Sequence, residues 1–125
     1  MNNNLGPFSV GGRLRSLRHA LAGLRELFVG QHNAWIHAGA SLAVVMAGAA
    51  LQVSAVEWCL LILAIMAVWV AEALNTAVEH LCDLVSADVH PLVKKAKDVA
   101  AAAVLCSALG AAAIGLVVFV PYGLA

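Results

Sequence analysis

Glu72, Asn75, Glu79 and Asp83 are the residues of this sequence best placed to do chemistry. At about 100° per residue they project near 0°, −60°, −20° and +20°, an arc of roughly 80° on one helix. Their surroundings are apolar, and Trp58 to Ala71 just before them carries no charge. One carboxylate near a bilayer centre costs about 3 kcal/mol even on lenient insertion scales. A stray acid could be absorbed as packing. Three acids and an Asn on one stripe persist only by facing protein, water or cations. The loop that follows supplies the complementary charge. Asp88-Val89-His90-Pro91 reads as a turn, with Pro91 opening a helix where its missing N–H does no harm. Lys94, Lys95, Lys97 and Asp98 come next, and in an antiparallel hairpin Lys94 or Lys97 comes level with Glu79 and Asp83. Carboxylates beside ammonium groups at a water–lipid boundary suit a divalent metal and phosphate. Taken alone, the lysines read equally well as a surface salt-bridge cluster.

The elements that must hold these residues follow from composition. Of 125 residues, 63% are hydrophobic and 11% charged, with seven bases balancing seven acids. A soluble globular chain carries about 25% charge, and so few charges cannot coat a sphere this small. Soluble enzymes, secreted disulfide domains, nucleic-acid-binding modules and disordered tails are thereby set aside. An all-α integral membrane protein remains. Crossing about 30 Å of hydrocarbon takes roughly 20 helical residues, and three stretches are long enough: 34–53, 56–84 and 92–120. All three belong to a single membrane domain that takes in the whole chain, 1–125.

The bases orient those spans. Arg13, Arg15, Arg18 and Arg25 precede the first; Lys94, Lys95 and Lys97 open the third; the turn at residues 52–57 has no base. The positive-inside rule then puts the N-terminus and the 85–91 loop in the cytoplasm. Residues 13–29 form a further helix that is not a span. Leu14, Leu17, Leu21, Leu24 and Phe28 share a stripe and Arg15, Arg18 and Arg25 lie off it, the pattern of an amphipathic helix in the interface plane. It either anchors the chain or roofs a site at the cytoplasmic face. Gly30 and Asn33 suit a break before the first span. No secretory leader is expected, because four arginines precede the first long apolar run. Cys59, Cys82 and Cys106 have no metal-ligand or disulfide spacing and read as small apolar helix residues. Ala96, Ala100 and Ala103 permit close helix packing.

No GxxxxGK[ST], GxGxxG, HRD or DFG occurs. Spacing alone gives an acid stripe under a basic loop, and it does not give ATP.

The string Glu72-Ala73-Leu74-Asn75-Thr76-Ala77-Val78-Glu79, then Asp83, His90-Pro91-Leu92 and Lys94-Lys95-Ala96-Lys97-Asp98-Val99-Ala100-Ala101, closely resembles the small prokaryotic diacylglycerol kinase family. The resemblance runs from about residue 13 to 120 and includes the plan of a surface helix and three spans. It implies a homotrimer of the bacterial inner membrane that moves the γ-phosphoryl of MgATP to a lipid hydroxyl. By resemblance, Glu72 is the catalytic base near that hydroxyl, and Asn75 lies in the same site, contributing to both lipid and ATP binding. Glu79 holds Mg²⁺ on the ATP phosphates. Asp83 and Asp88 are nucleotide-side acids, Lys97 contacts phosphate in both the nucleotide and lipid sites, and Asp98 is its neighbouring acid. Family sites are composite between subunits. Two positions depart from the pattern. Gln31 stands where a second metal-ligand Glu is usual, and its neutral oxygen should hold metal weakly. Glu26 is the nearby carboxylate, though its helical direction differs. His19 stands where an aromatic near the nucleotide is usual. Asn33, His37, the Glu57-Trp58 pair and the Asp83-to-Asp98 region look more like the undecaprenol kinase branch than the diacylglycerol branch. Two other classes compete: an ion or proton conductor, which would need acids in the bare outer half of the second span, and a non-catalytic pseudokinase, motivated by Gln31.

Overall fold

The structure, a computed structural model, describes residues 7–86, 88 and 90–125. Four helices follow one another: α1 Val10–Gly30, α2 His32–Leu51, α3 Ala55–Val85 and α4 Pro91–Leu124. The last three are long and apolar enough to cross a membrane. Large apolar side chains such as Ile36, Leu63, Leu105 and Val117 are exposed along them. That surface would be untenable in water and is ordinary against lipid, so the chain is a membrane protein.

Each helix boundary has a local cause. Ser9 caps α1, its Oγ accepting from the Gly12 N–H at 3.0 Å. One extended residue, Gln31, both ends α1 and precedes α2. The break therefore lies between the Gly30 and Asn33 expected to make it. Trp35 Nε1 crosses the break and donates to the Phe28 carbonyl at 2.9 Å, satisfying one of the carbonyls that the end of α1 leaves open. At the far end of α2, Gln52 takes left-handed φ and ψ of 52° and 48°. Its N–H donates to the Ala49 carbonyl and that of Val53 to the Gly48 carbonyl, closing the helix end. Ser54 and Glu57 form a reciprocal capping box that opens α3. His90 caps α4, its Nδ1 accepting from the Leu92 N–H, and Pro91 occupies the first turn. The third span was expected to stop at 120, but α4 continues through Pro121 to Leu124. Tyr122 explains the extension: its hydroxyl donates to Glu57 Oε2 at 2.6 Å and fastens the last turn of α4 to the first turn of α3.

α3 and α4 lie against each other for most of their length, and α2 packs on α3 more sparsely. Val53, Leu61 and Val118 form a small core at the capped end, with Val44, Trp58, Ile114 and Phe119 against it. Gly48 sits directly beneath Trp58, where an added Cβ would meet the indole ring at 2.8 Å. The ring has little room to retreat inside that cluster. Gly48→Ala should therefore cost about 1–3 kcal/mol by overpacking, read as a lower midpoint of thermal unfolding in detergent. An unchanged midpoint would show that the ring shifts freely.

Candidate active site

Polar side chains succeed one another on the last four turns of α3. Glu72 comes first and is 0% exposed. Neither of its carboxylate oxygens accepts a hydrogen bond; the nearest partner is His37 Nε2 on α2, 3.4 Å from Oε2. Asn75 and Thr76, one turn on, are also buried, and Asn75 Oδ1 and Thr76 Oγ1 have no partner. Such a run of unpaired polar atoms inside a membrane protein is costly unless something arrives to pair with it.

Glu79, two turns beyond Glu72, is held from two directions. Asn75 Nδ2 donates to its Oε1 at 3.0 Å, and Gln31 Nε2 donates to its Oε2 at 3.1 Å. The Gln31 contact depends on the extended break between α1 and α2, which aims this side chain at α3. A further turn along, Asp83 Oδ1 accepts from Lys97 Nζ at 2.6 Å, joining α3 to α4 near the loop.

The structure thus brings Gln31, Asn75 and Glu79 together, sets Glu72 beside His37, and pairs Asp83 with Lys97. Of the two lysines expected level with the acids, only Lys97 reaches them. Lys94 instead pairs along its own helix with Asp98 at 2.6 Å, so Asp98 stands engaged on the exposed side. His19 is exposed on α1 and Asp88 exposed in the loop, and neither side chain bonds to this group among the described residues. Glu26 does not replace Gln31: its Oε1 lies 4.0 Å from His80 Nε2 on another flank of α3.

Among the described residues no cluster of three or more His, Cys, Asp or Glu forms a ready metal site. Mg²⁺, however, commonly uses one or two carboxylates and takes its other ligands from phosphate and water. Glu79 is the carboxylate that could serve such an ion; Gln31 now turns its amide nitrogen to it and would have to rotate to offer the oxygen. Sequence reasoning passed over His37 as a neighbour of Glu72 and gave Thr76 no role of its own. A histidine inside an apolar span was the available signal; the face it presents was not readable.

A profile of the prokaryotic diacylglycerol kinase family matches residues 18–119, which takes in every helix that carries these groups. The chain belongs to that family. It is similar to an undecaprenol kinase of Bacillus subtilis, 40% identical over 107 residues that make up 86% of this chain and 87% of the relative. A diacylglycerol kinase of Synechocystis sp. is 39% identical over 109 residues, 86% of this chain, and this chain spans only 62% of that longer relative. A diacylglycerol kinase of Escherichia coli is 32% identical over 92 residues, 74% of this chain and 75% of its own. As a member of the prokaryotic diacylglycerol kinase family the chain is an ATP-dependent lipid kinase.

Proposed function

We propose that the chain phosphorylates undecaprenol, taking the γ-phosphoryl of MgATP at the cytoplasmic face of a bacterial inner membrane and working as a homotrimer. The order of groups on α3 carries the kinase part of this reading, a buried carboxylate with free oxygens, Glu72, lying seven residues before the amide-held Glu79; the choice of undecaprenol is supported by the similarity to the Bacillus subtilis undecaprenol kinase. The interval from Glu72 to Glu79 is about 10 Å along the axis at 1.5 Å per residue, a spacing that lets a hydroxyl enter from lipid and phosphates from water.

The reaction is an in-line displacement. Glu72 takes the hydroxyl proton as the lipid oxygen bonds to the γ-phosphorus, and the bond to the bridging oxygen breaks with its electron pair leaving on ADP. Glu79, with Gln31, would hold the Mg²⁺ that neutralises triphosphate charge. Lys97 offsets charge on the phosphoryl, for which it must turn from Asp83; water screens an exposed pair of this kind, so it gives way readily. Asn75 Oδ1 is free to accept from the lipid hydroxyl region.

Leu14, Leu17, Leu21 and Leu24 stay exposed on α1, which supports α1 lying apolar face down in the interface with its arginines at the headgroups. An open furrow of about 810 Å³ between α3 and α4, lined by Ala67, Ala71, Ala96, Ala100 and Ala103, supports a close subunit contact of small residues. Diacylglycerol as acceptor, giving phosphatidic acid, is the second reading, supported by the diacylglycerol kinases among the relatives. The test is purified protein in mixed micelles with MgATP, offered each lipid in separate reactions. Faster phosphorylation of undecaprenol is expected. Faster turnover of diacylglycerol would overturn the substrate, and no turnover of either would return the pseudokinase suggested by Gln31.

A further inference from the structure

We propose that His37 is a positioning residue for the reaction, donating its Nε2–H to Oε2 of Glu72 and leaving Oε1 to receive the lipid proton. The inference rests on the reading of Glu72 as the base. Glu72 is fully buried and accepts no hydrogen bond, so nothing on its own helix sets the direction of its carboxylate. The neighbouring Asn75 amide is committed to Glu79. From α2, His37 Nε2 lies 3.4 Å from Oε2, close enough to tighten into a hydrogen bond when substrate closes the site.

His37 is itself held. Its ring meets that of Trp69 edge-on, with centroids 6.4 Å apart at 67°. Trp69 is pinned in turn, because its Nε1 donates at 3.1 Å to Oγ of Ser41, one turn beyond His37 on α2. Phe28 of α1 also packs on Trp69, with ring centroids 5.5 Å apart at a tilt of 41°. The imidazole therefore stands in a bracket built from two helices and braced by α1. Beneath it an apolar cavity of about 260 Å³ opens between α2, α3 and α4, lined by Ala40, Ala64, Ala108 and Gly115 among others, and holding no charged side chain. Among the described residues, His37 is the basic group that the structure sets within 4 Å of the Glu72 carboxylate.

The proton balance leaves His37 unchanged. The hydroxyl O–H bond breaks, an O–H bond forms at Glu72 Oε1, and the imidazole keeps its own proton throughout. Its contribution is orientation, and a misplaced reacting group can cost on the order of a hundredfold.

Two variants test this in the full-length protein, with MgATP and whichever lipid the wild type phosphorylates. His37→Phe keeps an aromatic ring against Trp69 and removes the donor. His37→Gln places an amide N–H near the position of Nε2. We expect His37→Phe to lower kcat by about ten- to a hundredfold with KM for MgATP unchanged, and His37→Gln to recover most of that loss. A purely structural histidine would give the opposite ranking, the ring-preserving variant being the milder. Wild-type kcat in His37→Phe, or an equal loss in both variants, would overturn the proposal. Glu72→Gln run alongside separates the two claims: if it is inactive while His37→Phe is normal, only the role of His37 fails; if it is active, both fail.

Discussion

Glu72→Gln should abolish lipid-dependent ATP turnover while the protein still folds and assembles. Glutamine has the shape of the carboxylate and cannot take up the hydroxyl proton, so the loss should reach about 10²–10⁴-fold in kcat. Stability should move the other way. Glu72 is 0% exposed with both oxygens unpartnered, and a neutral amide is cheaper to bury than an unpaired carboxylate. The thermal midpoint in detergent should therefore stay level or rise as activity disappears. Turnover by lipid phosphorylation and assembly by gel filtration are the two measurements. Full activity would remove Glu72 as the base, and loss of activity together with loss of assembly would mark it as structural.

Glu79→Gln should have the next largest effect, a fall on the order of 10²–10³-fold in kcat/KM for MgATP. In its resting contacts this carboxylate takes one amide from Asn75 and one from Gln31. A glutamine can keep one of them and loses the charge that a divalent cation needs. The companion Gln31→Glu gives a change of the opposite sign. It places a second carboxylate about 3 Å from the first, so half-maximal activity should need less Mg²⁺. Without metal, two like charges at that distance repel, and the thermal midpoint in chelator should drop below wild type and return with Mg²⁺ and nucleotide. A Mg²⁺ requirement unchanged in Gln31→Glu would take Gln31 out of the metal site.

The polar stripe was legible because its period is that of a helix and its composition is foreign to the residues around it. The spans were legible for the complementary reason, the absence of charge. Hairpin geometry put Lys94 or Lys97 level with Glu79 and Asp83, and of these the structure realises Lys97 with Asp83. Three features were out of reach for identifiable reasons. α2 is apolar nearly all round, so periodicity does not mark which face meets α3, and the place of His37 beside Glu72 is set by packing. Lys94 and Asp98 stand four residues apart on one helix, and that local pair competes with any partner across the hairpin. The reach of Gln31 to Glu79 depends on a single extended residue between two helices, and Gly30 and Asn33 on either side were the stronger breaking signals. The sequence places the third span at 92–120, and α4 runs on to Leu124, where the hydroxyl of Tyr122 gives the last turn a partner.

The fastening of Tyr122 and Ser54 to one carboxylate oxygen, Glu57 Oε2, has a mechanical consequence. It makes the capped end of the α3–α4 pair a fulcrum, with the core of Val53, Leu61 and Val118 around it. Asp83 stands 26 residues further along α3, a lever arm of about 39 Å. A tilt of about 3° at the fulcrum would move the tip by about 2 Å over that arm, against the Asp83–Lys97 pair and the short connection from Val85 to Pro91 that joins the same two helices. The Tyr122–Glu57 fastening thus helps set, from the far end of the pair, where Asp83 and Lys97 stand.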